Sequence, residues 1–290
     1  MNVTLLQSAS EFLNQTEPLR AADSFRTNML GSVASSVAKG SRTYERYFWW
    51  VITNESGEVV GAAMRTAPHG MVLSPMPIEA ARELALAVSL HDIELPEVAG
   101  PSRVVEEFIK AYQDSGTSQS KRLVEDRGHD LLYALKALKK LSMPTVLGSM
   151  ENAQREEFQK IYDWYIEFGN EVGILMPNPT ESIEDGFNRG SWRLWRVDDE
   201  IVSMAGYASL VETPSGIVGR IGPVYTPPLH RRHGYAGILT AQLSQELINQ
   251  GAKVMLYTDA KNPTSNGVYQ RIGFELIDEN KRFRFVDPKC

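Results

Sequence analysis

The residues best suited to chemistry lie within positions 221–274. The segment opens as a strand, Ile221-Gly222-Pro223-Val224-Tyr225-Thr226, followed by Pro227 and Pro228. Proline has no amide hydrogen, so regular ladder pairing must fail here and leave backbone groups free. Next comes Arg231-Arg232-His233-Gly234-Tyr235-Ala236, a basic turn with small residues. It leads into a helix with Leu239, Leu243 and Leu247 on one stripe and Gly251 just past its end. Unpaired amides at a helix start point outward, the helix dipole favours negative charge, and Gly234 and Ala236 let the backbone approach closely, a combination suited to phosphate. Cations are poorly placed at this end of a helix. Arg231, Arg232 and His233 therefore make physical sense against a bound anion. From 220 to 261 there are five bases (Arg220, Arg231, Arg232, Lys253, Lys261) and two acids (Glu246, Asp259), a local +3 in a chain of net charge −6.

The next strand, residues 253–258, is apolar without alternation, as expected of a central strand covered on both faces. Its exit is polar. Asn262 is placed to cap a helix whose first residue is Pro263, and that helix carries Ser265, Val268, Tyr269 and Arg271 before Gly273 stops it.

The elements that must hold these residues show an internal repeat. Residues 49–64 read as an aromatic-led strand, a polar turn and a strand ending in small residues, and residues 192–207 read the same way. In each half a proline, Pro75 or Pro223, ends a further strand-like stretch ahead of a helix-like one, residues 78–90 and 235–250. Residues 121–125 and 131–138, either side of the turn Asp126-Arg127-Gly128, match the layout of 274–277 and 282–286 at the chain's end. Intrinsic propensity reads 131–141 as helix, rich as it is in Leu, Ala and Lys, whereas the repeat reads it as strand. Ser142-Met143-Pro144 is the expected junction, because Pro144 blocks continuation of what precedes it. The expected domains are residues 1–143 and 144–290.

Composition narrows the function. The 290 residues are 42% hydrophobic and 23% charged, enough to bury a core in a two-domain chain. The acidic balance argues against general nucleic-acid binding. The longest apolar run, residues 47–52, is far short of the about 20 residues that span a bilayer, so no membrane association and a cytoplasmic location are expected. The single cysteine, Cys290, excludes an intrachain disulfide and a thiolate metal cluster. His230 and His233 lack a nearby carboxylate or cysteine partner, so no metal is expected.

The phosphate loop, coupled to Asn262-Pro263-Thr264-Ser265-Asn266-Gly267-Val268-Tyr269-Gln270-Arg271-Ile272-Gly273-Phe274, resembles the GNAT superfamily of acyl-CoA-dependent N-acyltransferases. Arg231, Arg232, His233, Gly234, Tyr235 and Ala236 fit that family's Arg/Gln-x-x-Gly-x-Gly/Ala loop, whose amides bind the CoA diphosphate. The resemblance implies that Val224, Tyr225 and Thr226 pair with the pantetheine arm, that Asn262 and Ser265 contact it further along, and that Tyr269 is general acid to the departing thiolate. It implies an α/β (α+β) fold of two tandem domains, each a mixed, mostly antiparallel sheet flanked by helices, and acetyl-CoA as acyl donor.

In the first half the loop reads Met76-Pro77-Ile78-Glu79-Ala80-Ala81-Arg82, without glycine and with an acid facing any phosphate, so only the second half is expected to bind acetyl-CoA. The expected reaction is transfer of acetyl to a primary amine, on a small molecule or a protein. A noncatalytic acyl-CoA-binding regulator would carry the same loop, and the retained Tyr269 favours the enzyme. The oligomeric state is left open. The general base is not identified. Tyr162, Trp164, Tyr165 and Phe168 form an aromatic stripe suited to core or to an acceptor pocket, and Glu181, Glu184 and Asp185 form an acidic group suited to a cationic amine or to solvent.

Overall fold

The computed structural model describes residues 1–91, 95–117, 119–139, 146–174, 176, 178–213 and 215–287. Its contacts divide the chain into two compact units. The first comprises residues 1–130, 213–215 and 278–290, and the second residues 131–212 and 216–277. Among the described residues no helix is long and apolar enough to cross a membrane.

Unit 1 contains strands β1 (Asn2–Leu6), β2 (Tyr47–Thr53), β3 (Val59–Thr66), β4 (Met71–Leu73) and β5 (Glu97–Pro101). Its helices are α1 (Ala9–Gln15), α2 (Glu17–Ala22), α3 (Asn28–Ala38), α4 (Ile78–Leu90) and α5 (Ser102–Asp114). β1 to β4 form an antiparallel meander, and β4 then pairs parallel with β5. Alternation along β2 decides the layers, since successive strand side chains point to opposite faces. Trp49 and Val51 pack with Phe12 and Leu30 of α1 and α3, whereas Trp50 and Ile52 pack with Leu84 and Val88 of α4 and Phe108 of α5.

Unit 2 follows the same plan. Its strands are β7 (Ser149–Asn152), β8 (Arg193–Val197), β9 (Glu200–Tyr207), the short β10 (Val211–Thr213), β11 (Gly216–Tyr225) and β12 (Ala252–Asp259). Its helices are α6 (Phe158–Val172), α7 (Pro179–Asn188), α8 (Tyr235–Asn249) and α9 (Pro263–Ile272). β7, β8, β9 and β11 are antiparallel neighbours in that order, and β11 pairs parallel with β12. Leu239, Leu243 and Leu247 of α8 pack on Val202, Ile221, Val254 and Leu256. On the other face Ile161 and Trp164 of α6 and Ile183 of α7 pack on Leu194, Met204 and Tyr225.

Two strands, β6 (Leu123–Leu135) and β13 (Phe274–Val286), are each 13 residues long and are neighbours in the sheet. Unit 1 takes the first part of β6 and the last part of β13, and unit 2 takes the remainder of each. In unit 1, β13 pairs antiparallel with β5, Arg282 opposite Ala99. In unit 2, β12 is the neighbour of β6.

The structure corrects three local expectations. Asp126-Arg127-Gly128 is not a turn, because β6 runs through it. The polar residues between 277 and 282 do not break β13 either. In both cases ladder partners hold polar residues extended, and the Arg282–Asp130 ion pair at 2.8 Å adds a cross-strand link. Pro223 does not end its strand, since β11 continues to Tyr225 past an irregularity between Ile221 and Val224. The conflict over residues 131–141 resolves as strand to Leu135, where Leu132, Tyr133 and Ala134 are at most 1% exposed. Burial between two neighbouring strands outweighs helix propensity of a few tenths of a kcal/mol per residue. The expected junction at Ser142, Met143 and Pro144 lies outside the described residues.

Gly273 sits between α9 and β13 at φ 116°, and a Cβ there would collide with the Ala137 carbonyl oxygen. Gly273→Ala should lower stability by about 2 kcal/mol or more, combining left-handed strain with that contact. Gly57, at φ 82° with nothing within 4 Å of its Cβ position, is the control, and Gly57→Ala should cost about 1 kcal/mol by urea denaturation.

Candidate functional site

The site begins where two parallel strands separate. β11 and β12 pair from Ile217 with Ala252 to Ile221 with Leu256. β11 then continues on the β9 side, with Val224 opposite Ala205 and Tyr225 opposite Met204, after the irregularity at Gly222-Pro223. Gly222 has φ 150° and the Gly222-Pro223 peptide is cis. Ser203 of β9 fastens the strand end, donating to the Tyr225 carbonyl at 3.0 Å and sharing a hydrogen bond with the Thr226 hydroxyl at 2.8 Å. The backbone of Val224, Tyr225 and Thr226 thus runs beyond the paired stretch of β12.

The loop that follows is shaped by φ. Pro228–His230 forms one tight turn, Arg231 is extended, Arg232 has φ 69° and Gly234 has φ 84° as the residue before Tyr235 opens α8. Left-handed residues alternating with ordinary ones turn successive N–H groups toward one side, which makes an anion-binding concavity. Ala236 is in the first turn of α8, where amides lack helical partners. His233 stacks on Tyr235 with ring centroids 5.4 Å apart, and its Nδ1 lies 3.2 Å from the His230 carbonyl oxygen. His230 Nε2 faces Glu200 at 3.4 Å, so a carboxylate does lie beside this histidine, contrary to the sequence expectation that none was near. Among the described residues no group of three or more His, Cys, Asp or Glu could hold a metal.

Arg231 points back into the protein. Its Nε donates to the Thr226 carbonyl at 2.8 Å, and its terminal nitrogen donates to both Glu171 oxygens at 2.6 and 2.9 Å. Its guanidinium also lies over the Tyr225 ring, 5.8 Å from the centroid. The Tyr225 hydroxyl donates to Glu167 at 2.8 Å and lies 3.5 Å from Glu171. Burial, then the Glu167 hydrogen bond, push the Tyr225 phenol well above its ordinary value.

Glu167 and Glu171 did not stand out in the sequence. They are four apart on α6, and Glu167 lies three residues beyond Trp164, so one face of that helix carries an aromatic and two acids. That spacing was the available signal. Of the aromatic stripe, Trp164 is buried, while Tyr162, Tyr165 and Phe168 pack partly buried beside it. Two acids of the other group are occupied locally, Glu184 by Arg155 and Asp185 by Arg189.

At the far side of the site Asn262 caps α9, its side-chain oxygen accepting from the Ser265 amide at 3.0 Å. Pro263 is the first helical residue, as expected. Tyr269, two turns on, sits edge-on to Phe274 with centroids 6.0 Å apart, and burial pushes its phenol up to about 12.

The corresponding place in unit 1 is built differently. α4 follows Pro77 at φ −57° with no left-handed residue before it, and Glu79 occupies its first turn. Gly100 of β5 approaches Leu73 of β4 so closely that a Cβ would lie 2.8 Å from the Leu73 carbonyl oxygen. Ser74 then bonds back to β3, accepting from the Ala62 amide at 2.9 Å and donating to the Pro75 carbonyl at 2.8 Å.

Residues 203–283 match the family model of FR47-like protein. No curated protein matches the chain. Solved structures similar to it over nearly its whole length include a GCN5-related N-acetyltransferase from Sphaerobacter thermophilus, at 12% identity and TM-score 0.65, covering 99% of this chain and 97% of that one. An acetyltransferase of the GNAT family from Colwellia psychrerythraea aligns at 13% identity and TM-score 0.57 over 98% and 100%. A tandem GNAT protein from the clavulanic acid biosynthesis pathway aligns at 12% and 0.59 over 100% of both chains. The fold is therefore a tandem GNAT arrangement, a mixed and mostly antiparallel sheet flanked by helices.

Asn262→Ala should destabilise the protein by about 1 kcal/mol through loss of the α9 cap, and Asn262→Asp should retain most of it. Paired urea titrations measure the difference.

Proposed function

We propose that this chain is an acyl-CoA-dependent N-acyltransferase that moves an acetyl group from acetyl-CoA to a primary amine by direct attack, using the second half of the sequence. The observation that carries this reading is the parting of β11 from β12 beside a loop with left-handed residues at Arg232 and Gly234 that opens α8. The names of the similar structures, two of them acetyltransferases, support the same class of reaction. The domain division at 143/144, with the first half a GNAT-like domain that has lost the site, belongs to this proposal.

The residues present fit acetyl-CoA. The amides of Arg232, His233, Gly234, Tyr235 and Ala236 would hold the diphosphate, with Arg232 supplying charge at the loop. Arg231 is engaged with Thr226 and Glu171, so its part is to brace the loop. Backbone groups of Val224, Tyr225 and Thr226 other than the Tyr225 and Thr226 carbonyls, which accept from Ser203 and Arg231, would pair with the amide-bearing arm, and Asn262 and Ser265 would border it on the β12 side. A backbone amide at the end of β11 would also stabilise negative charge on the thioester oxygen.

Tyr269 would donate to the sulfur as it leaves. A phenol near 12 stays protonated through neutral and moderately alkaline pH, so it is always available as a donor. Full transfer to a thiolate whose acid has a pKa of about 8.5 is uphill by between three and four units, so the hydrogen bond must act while the bond to sulfur is breaking.

Calorimetric titration with acetyl-CoA should give one site per chain, abolished by Gly234→Glu in a variant that keeps its far-ultraviolet circular dichroism. Two sites would show that the first half also binds, and none would leave the likeness as fold alone. With a panel of primary amines, thiol release should fall by about 10² or more in Tyr269→Phe. Binding without thiol release on any amine would instead identify an acyl-CoA-binding regulator. Because the phenol titrates so high, the Tyr269-dependent part of the rate should not decline between pH 7 and 10.

A further inference from the structure

Direct attack leaves one requirement unmet, a group that takes the proton from the amine. A primary alkylamine with pKa about 10.4 is almost wholly ammonium at pH 7. Among the described residues of unit 2, the charged and polar groups near the end of β11 come from β9, the loop after β11, α6 and α7. β9 contributes Ser203 and Met204, which carry no charge. The loop contributes Arg231, tied to Glu171, His230 beside Glu200, and Arg232 and His233 further along the chain. α6 contributes Glu167 and Glu171, with Lys160 occupied over the Trp164 ring at 5.2 Å. On α7, Glu184 and Asp185 are paired with arginines.

We propose that Tyr225 and Glu167 form the proton-accepting pair for an alkylamine acceptor, the Tyr225 hydroxyl contacting the amine and the Glu167 carboxylate receiving the proton through it. The inference rests on the transferase reading above. Three features carry it. Tyr225 ends the strand whose backbone would hold the acyl arm, and Ser203 fastens its carbonyl, so its side chain is anchored at the end of the proposed path of that arm. Its hydroxyl already donates to Glu167 at 2.8 Å, which leaves the oxygen lone pairs to accept from an ammonium. Tyr225 is 4% exposed whereas Glu167 is exposed, so the pair leads from a buried atom to water.

The step balances without a further reactant. The amine nitrogen forms a bond to the thioester carbonyl carbon and the carbon–sulfur bond breaks. A first proton passes from the ammonium to Tyr225 Oη as the Tyr225 proton passes to Glu167 Oε2, and Glu167 returns it to solvent. After attack the second nitrogen proton leaves by the same route, while the departing sulfur takes the Tyr269 proton and Tyr269 is reprotonated from solvent. Glu171 takes no proton in this scheme, since it lies 3.5 Å from the phenol against 2.8 Å for Glu167 and is paired with Arg231. Burial disfavours a phenolate at Tyr225, so the two transfers must be coupled.

The test compares wild type, Tyr225→Phe, Glu167→Gln and Glu167→Asp, with phenethylamine and spermidine as acceptor probes and acetyl-CoA titration as the check on the donor site. Tyr225→Phe and Glu167→Gln should lower kcat at pH 7 by about 10² or more. Their acetyl-CoA affinity should stay within about twofold, and Glu167→Asp should recover part of the rate. The deficit should shrink by about tenfold per unit between pH 7 and 9, as water deprotonates the amine in place of the missing pair. Undiminished kcat in either variant, or an equal deficit at every pH, overturns the assignment and leaves a bond that only fastens α6 to β11. Wild-type binding of acetyl-CoA without thiol release on either probe overturns the alkylamine acceptor, whereas absence of binding overturns the transferase reading itself.

Discussion

A strand that leaves its ladder must find other partners for its amides and carbonyls, and the second unit is organised around one such departure. Among the described residues β11 pairs with β12 from Ile217 to Ile221 and with β9 at Ile221, Val224 and Tyr225. The cause is chemical. Pro223 has no N–H to donate, and Gly222 takes a φ of 150° that side chains rarely adopt. Ser203 then uses its hydroxyl to keep the freed end on β9. Everything that follows, the loop, the start of α8 and the position of Tyr225, is set by where β11 ends.

Unit 1 shows what the same plan does without that departure. Its parallel pair, β4 and β5, is short, with Met71 opposite Val98 and Val72 opposite Ala99. Gly100 lets the backbones stay close just beyond these pairs, and Ser74 spends its hydroxyl on Ala62 and Pro75. The first turn of α4 already contains Glu79, which interacts favourably with the helix dipole and repels a second anion. Each of these changes removes one feature of an anion and backbone-pairing site. Together they make the corresponding place in unit 1 different from that in unit 2, although the two units share one plan.

Much of this was legible from residue types. Proline without a donor, glycine before a helix and an asparagine three residues ahead of Ser265 act locally, through φ or a single hydrogen bond, and local rules suffice for them. The hairpins 47–66 and 193–207 were legible for the same reason. What failed was long-range. Polar residues at 126–128 and 278–281 have the composition of turns, yet neighbouring strands hold both segments extended. A single sequence contains no term for a ladder partner more than a hundred residues away. Glu167 and Glu171 escaped notice for a related reason, since an exposed helix face with acids is ordinary until Tyr225 and Arg231 are placed against it.

The position of Arg231 sharpens how charge is used. A cation beside a helix N-terminus is unfavourable by itself, and the sequence argument resolved that by invoking an anion. The structure supplies one within the protein, because Glu171 neutralises Arg231 with two hydrogen bonds while Thr226 takes a third. Arg231 is thereby relieved of the need for an external partner and becomes a strut between α6, the end of β11 and the loop. Arg232, at φ 69°, is held in a conformation a non-glycine residue rarely adopts. Two adjacent arginines that look equivalent in sequence are therefore held differently, Arg231 by Glu171 and Thr226 and Arg232 by a left-handed backbone.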